Sequence, residues 1–108
     1  MLYEYVIHPD GSKHFNFVSD TSESILGLSA TAITQDASVL DAIVHKDDIQ
    51  NLHETSTLSE NSGSEWYWQG RIWVGGQVKW VEFRSNHELT SDGTILRRGI
   101  VQDITVRK

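Results

Sequence analysis

His45-Lys46-Asp47-Asp48 is the densest grouping of chemically capable side chains in this sequence, an imidazole and two carboxylates within four residues. Such a set can ligate a metal or work as an acid–base pair. The same letters also open a helix, because Asp47 followed by Gln50 has the spacing of a capping box. The apolar residues beyond it, Ile49, Leu52 and Leu58, favour the cap, and His45 is then structural. No serine stands in a G-x-S-x-G elbow, and neither a dinucleotide-binding nor a P-loop glycine motif is present. The chain has no cysteine. That removes disulfides, thiolate zinc sites and thiol nucleophiles, and leaves the redox compartment open. The residues therefore predict a domain that is not an enzyme. The catalytic alternative, a small α+β enzyme, would need a polar pocket around His45, His53 or His87.

Fifteen acids against nine bases give a net charge of −6. A nucleic-acid binder needs a basic stripe to neutralise phosphates. The densest basic groups here are Arg97–Arg98 and Arg107–Lys108, read as solvated strand and linker ends, so no nucleic-acid partner is expected. No apolar run approaches the ~20 residues of a membrane helix, and no signal-peptide pattern opens the chain. At 108 residues it is one domain with a single modest core.

The elements that must position these side chains begin with Leu2 to His8, whose alternation predicts a half-buried strand. Pro9-Asp10-Gly11 turns the chain back into a partner strand at Phe15 to Val18. Asp20 and Glu23 then fit a capping box for a short helix stopped by Gly27. Thr34 to Val44 carries Val39, Leu40 and Ile43 on one helical face. The helix opened by Asp47 runs to the Glu60–Ser64 segment. From Glu65 to Thr105 three runs rich in aromatic and β-branched residues, holding all four tryptophans, are separated by glycine turns. That is an antiparallel meander. Two strands, a block of short helices and three strands make an α+β domain, with helices on one face of a five-stranded antiparallel sheet.

Read together, the motifs resemble a PAS domain of the PAC-containing sensor type, from bacterial-style multidomain signalling proteins. The resemblance covers nearly the whole chain. It rests on Phe17-Val18-Ser19 with Ile25-Leu26-Gly27, on Val44-His45-Lys46-Asp47-Asp48, and on Trp68 with Gly70-Arg71-Ile72. It continues through Lys79 to Ser85, the Asp92-Gly93 turn, and Gly99 to Lys108. The sequence departs from the family at Lys46, where proline is usual, at Gln69, where an acid is common, and at Gly75-Gly76 in place of Asp-Gly. Gln69 leaves Arg71 without one expected charge partner.

The resemblance implies a glove-like fold with strands in spatial order 2-1-5-4-3, the domain spanning residues 1–105 and a linker starting at 106–108 towards an output domain. It implies a sensory module that responds to a small molecule or partner and signals through Asp103, Ile104 and Thr105. The output would be a histidine kinase of a two-component system, a diguanylate cyclase or a similar domain. Without cysteine, neither a flavin–cysteine adduct nor a thiol-linked hydroxycinnamate is available. Haem-binding members use a histidine on the helix after Asp48, which makes His53 the haem candidate, although no cofactor or an unknown small molecule is the expectation. Strand parity and helix periodicity place Tyr5, Phe15, Phe17, Leu26, Leu40, Leu52, Trp66, Trp68, Ile72, Val81 and Phe83 between sheet and helices. They form either a ligand pocket or a filled core. Tyr67, Trp73 and Trp80 share the opposite face with Gln69, Arg71, Glu82 and Arg84, an aromatic surface suited to a flanking helix or a second protomer. A homodimer, a cytoplasmic location (with a parent that can be membrane-anchored) and no direct membrane contact are expected. The alternative is a ligand-free dimerisation module.

Overall fold

The computed structural model describes residues 1–107, apart from the side chain of Arg107; Lys108, within the expected start of a linker, lies outside the described residues. Strands β1 (Leu2–Ile7) and β2 (Lys13–Val18) form the first hairpin. Four helices follow: α1 (Ser22–Leu26), α2 (Ala30–Gln35), α3 (Ser38–Ile43) and α4 (Ile49–Ser62). The chain then returns through β3 (Trp66–Val74), β4 (Gln77–Ser85), a two-residue β5 (Glu88–Leu89) and β6 (Ile95–Asp103). The sheet is antiparallel in the order β2-β1-β6-β4-β3, with β5 pairing only β6. Apart from that added ribbon this is the predicted 2-1-5-4-3 order.

The meander forms because its turns suit its strands. Gly75 and Gly76, both at positive φ (56° and 79°), connect Val74 to its partner Gln77. Two left-handed residues make the tight connection whose twist matches that of paired strands. Register from there sets Arg71 opposite Trp80, Gln69 opposite Glu82 and Tyr67 opposite Arg84. The helices cover the other face, where Trp66, Trp68, Ile72, Val81, Phe83 and Val101 join Leu26, Ile33, Leu40 and Leu52 in one buried core.

Several local expectations are corrected. Phe17 is 52% exposed rather than inward. Tyr5 pairs with Phe15 but Glu4 pairs with Phe17, so Asn16 is an extra residue, a β-bulge that reverses parity beyond it. The single helix expected over Thr34–Val44 is two. Asp36 breaks it by accepting hydrogen bonds from the Ser38 amide (3.0 Å) and hydroxyl (2.6 Å), a local bond that competes with the helix. The Asp20–Glu23 capping box does not form; Thr21 occupies the N-cap without a side-chain bond. On α4 Leu58 is exposed and Ser59 takes the buried position.

Candidate functional site

The helix start at His45–Asp48 is a bracket rather than a cap. The N-cap residue is Asp48, not Asp47, and no side chain caps the helix. The Asp48 carboxylate turns to β3 instead, accepting from Arg71 Nε (2.9 Å), Arg71 Nη2 (2.8 Å) and the Arg71 amide (2.8 Å). Asp48 thus supplies the charge partner for Arg71. Gln69 donates to the Tyr67 hydroxyl (2.6 Å) and to Glu82 (2.8 Å). His45 donates its amide to the Arg71 carbonyl (2.9 Å) and stacks on Trp73 with centroids 5.9 Å apart.

The hydrogen bonds from Arg71 hold the Asp48 carboxyl below its ordinary range, against a smaller opposing effect of burial. A depressed folded pKa contributes stability that is present above the unfolded value, near 3.9, and is lost as pH falls through the folded one. Asp48→Asn keeps the shape and removes the charge. It is expected to destabilise the domain at neutral pH, with the deficit to wild type narrowing below about pH 4. Urea titrations at both pH values check this; a deficit independent of pH would assign the loss to packing.

Between α3, α4 and the sheet lies a cavity of about 260 Å³. Six of the eleven residues expected between sheet and helices line it: Tyr5, Phe15, Leu40, Leu52, Trp66 and Phe83. Leu26, Trp68, Ile72 and Val81 are buried but belong to the solid core beside it, and Phe17 lies on the outer face. Trp68, its ring 5.7 Å from that of Phe83 in the cavity wall, belongs to the filled core beside the cavity.

Sequence reasoning missed its polar lining. Tyr3 from β1, Ser56 from α4 and Arg97 from β6 all reach the cavity. Arg97 was expected to be solvated but is 1% exposed. Its Nη1 donates to the Ser56 hydroxyl (2.9 Å), Nη2 to the Ser56 carbonyl (3.3 Å), and its guanidinium lies 5.0 Å over the Trp66 ring. Counting back in twos from Val101 would have placed it inward. Burial pushes the Tyr3 and Tyr5 phenols up to about 12, so both are neutral donors. The Tyr3 hydroxyl has no partner of good geometry, although Ser85 lies beside it.

His53 stands at the rim. Its side chain is more than half exposed, with Nε2 3.7 Å from Asp41 Oδ2. Among the described residues no group of three or more His, Asp and Glu is placed to hold a metal ion, and no helix is long and apolar enough to cross a membrane.

On the opposite sheet face Tyr67 and Trp73 are 49% and 47% exposed. Trp80 is partly covered, with the Arg71 guanidinium 5.5 Å from its ring, and Arg84 lies 5.1 Å from the ring of Tyr67. Glu82 is buried there by the donors around it, Tyr67, Gln69 and Arg84.

The predicted junction is built around Trp80. Asp103 Oδ1 accepts from the Thr105 amide (2.9 Å) and hydroxyl (2.6 Å), closing a turn that starts the 3-10 segment Thr105–Arg107. Thr105 Oγ1 accepts from the Trp80 amide (3.1 Å), while the Ile104 amide donates to the Trp80 carbonyl (2.9 Å). Ile104 itself is buried, with 2% exposure. These bonds to Thr105 also hold the Asp103 carboxyl below its ordinary range.

No family model and no curated protein matches the sequence. Solved structures do match the fold. The N-terminal domain of a diguanylate cyclase with a PAS/PAC sensor from Marinobacter aquaeolei superposes with a TM-score of 0.80 at 14% identity, over 99% of this chain and 98% of that one. A domain assigned to a light and redox sensing histidine kinase from Haloarcula marismortui gives 0.76 at 19% identity, over 97% of this chain and 90% of that one. The PAS domain of a Colwellia psychrerythraea protein gives 0.65 at 20%, over 98% and 88%. With the sheet order and the helices over one face, these likenesses identify the architecture: the chain has the fold of a PAS domain.

Proposed function

We propose that this chain is a sensory module that admits a small molecule between α3, α4 and the sheet and passes the change to an output domain through Asp103-Ile104-Thr105. The observation that carries this reading is the cavity of about 260 Å³, lined by aromatic rings and a few convergent polar groups. Its size is just below the roughly 300–1,000 Å³ typical of ligand pockets, so the ligand is small. An exit route supports the reading. Helix α4 lines the cavity and is tied at its start by Asp48 to Arg71; Arg71 covers Trp80, and Trp80 holds both Ile104 and Thr105. A ligand that moves α4 therefore acts on the junction through bonded neighbours. The role is non-catalytic.

The test is a thermal-shift screen with a panel of small metabolites. Binding should raise the melting temperature as free ligand exceeds its Kd, by mass action on the folded state. Absence of any shift, together with a solution structure lacking a void larger than water, would sink the reading.

The exposed Tyr67 and Trp73 favour a second reading, a homodimerisation module using the outer sheet face or a flanking helix. Sedimentation of wild type against Trp73→Ala and Trp80→Ala separates the two: concentration-dependent mass lost in the variants supports dimerisation, and monomers throughout would remove it.

A further inference from the structure

We infer that the cavity takes a small organic acid, with Arg97 as the counter-ion of its single carboxylate and the aromatic walls holding an apolar body. The inference rests on the sensory reading above and names its ligand class. Arg97 is a buried cation with no carboxylate at ion-pair distance among the described residues. Burying a charge without a close counter-charge is costly; Glu60, held by Lys13, acts on it only from beyond ion-pair distance, and a serine and an indole face compensate the rest only in part. Its Nε–H is also left without any acceptor. A guanidinium presents paired N–H groups that match a carboxylate, so an unused donor in a cavity wall is half of such a pair. Tyr3 lines the same wall, and its hydroxyl, buried beside Ser85, is a further neutral donor.

The surroundings limit the ligand's charge and body. Lys13, the other cation at the cavity, is already engaged by Glu60 at 3.0 Å, and Asp41 stands at the rim beside His53. Those two carboxylates repel a polyanion, whereas one buried guanidinium balances one negative charge. Phe15 meets Tyr3 edge-on and Tyr5 at a tilt, with centroids 5.7 and 4.7 Å away, so the cavity that Arg97 lines is also walled by ring faces and edges. Such a wall holds a flat or branched apolar group.

The test is calorimetric titration of the whole chain with phenylacetate, with phenylacetamide as its neutral isostere, and with inorganic phosphate. Phenylacetate should bind at least tenfold more tightly than the amide, and phosphate should not compete. Arg97→Met should erase the preference for the acid while leaving amide binding within about threefold. Should that variant fail to fold, the Arg97 Nε–H resonance of wild type provides the readout, shifting with the acid and not with the amide. Equal binding of acid and amide, or a preference that survives in Arg97→Met, overturns the inference while the cavity reading stands. Failure of both phenylacetate and its amide to bind overturns the organic-acid inference; if the metabolite screen is also silent, the sensory reading falls with it.

Discussion

Replacing Trp68 by alanine is expected to cost about 3–5 kcal/mol, a large part of the roughly 5–15 kcal/mol that holds a domain of this size. Trp68 is among the largest fully buried side chains, packed edge-on to Phe83 at the centre of the core. Its indole lies over Gly70, two residues along the same strand, where a methyl carbon would come within 2.8 Å of three atoms of the six-membered ring. Gly70→Ala should therefore displace the indole and cost about 1–3 kcal/mol, the usual range for overpacking. In the Trp68→Ala background the obstruction is gone, so adding Gly70→Ala should cost much less than it does alone. The double-mutant cycle, run by urea unfolding, is the check: additive costs would show that the glycine is needed for some reason other than the indole. Trp68→Phe should be milder than Trp68→Ala. It keeps most of the ring volume and removes an indole N–H that is buried without a partner.

How much of this was legible beforehand depends on how local each determinant is. The strands and their turns are local, and Gly75-Gly76 or the alternation of Trp66, Trp68 and Ile72 can be read directly. The bulge at Asn16 is not: nothing in Phe15-Asn16-Phe17 marks the residue that leaves the ladder, and one extra residue sends Phe17 to solvent. The break at Asp36 was legible, since aspartate two residues before serine offers the backbone an alternative bond, but the apolar face of Val39, Leu40 and Ile43 outweighed it. Arg97 shows a conflict between two sound rules. Parity from Val101 turns it inward, and the rule that arginines are rarely buried without a partner turns it outward. Parity prevailed, and the exception it creates is at the cavity wall. The Asp48–Arg71 pair joins residues twenty-three positions apart, so no local pattern could show it.

Ile104→Ala is the second change with a large expected effect, about 2–5 kcal/mol, because it empties a buried position at the end of β6. Asp103→Ala and Thr105→Ala act on the same segment but should cost far less, near the 0.5–1.5 kcal/mol of an ordinary hydrogen bond, since both side chains are partly or fully exposed. The contrast separates two jobs. Ile104 fixes the segment to the core, whereas the Asp103–Thr105 turn sets the direction in which the chain leaves it. In a full-length parent, Asp103→Ala should then leave the domain folded and still able to bind its ligand, but the output should no longer follow ligand addition. Ile104→Ala should weaken fold and output together. Measuring parent activity with and without ligand, beside the melting temperature of each variant, distinguishes the two. Normal regulation in Asp103→Ala would mean that the signal leaves through the outer sheet face, where Tyr67 and Trp73 are exposed, and not through the turn.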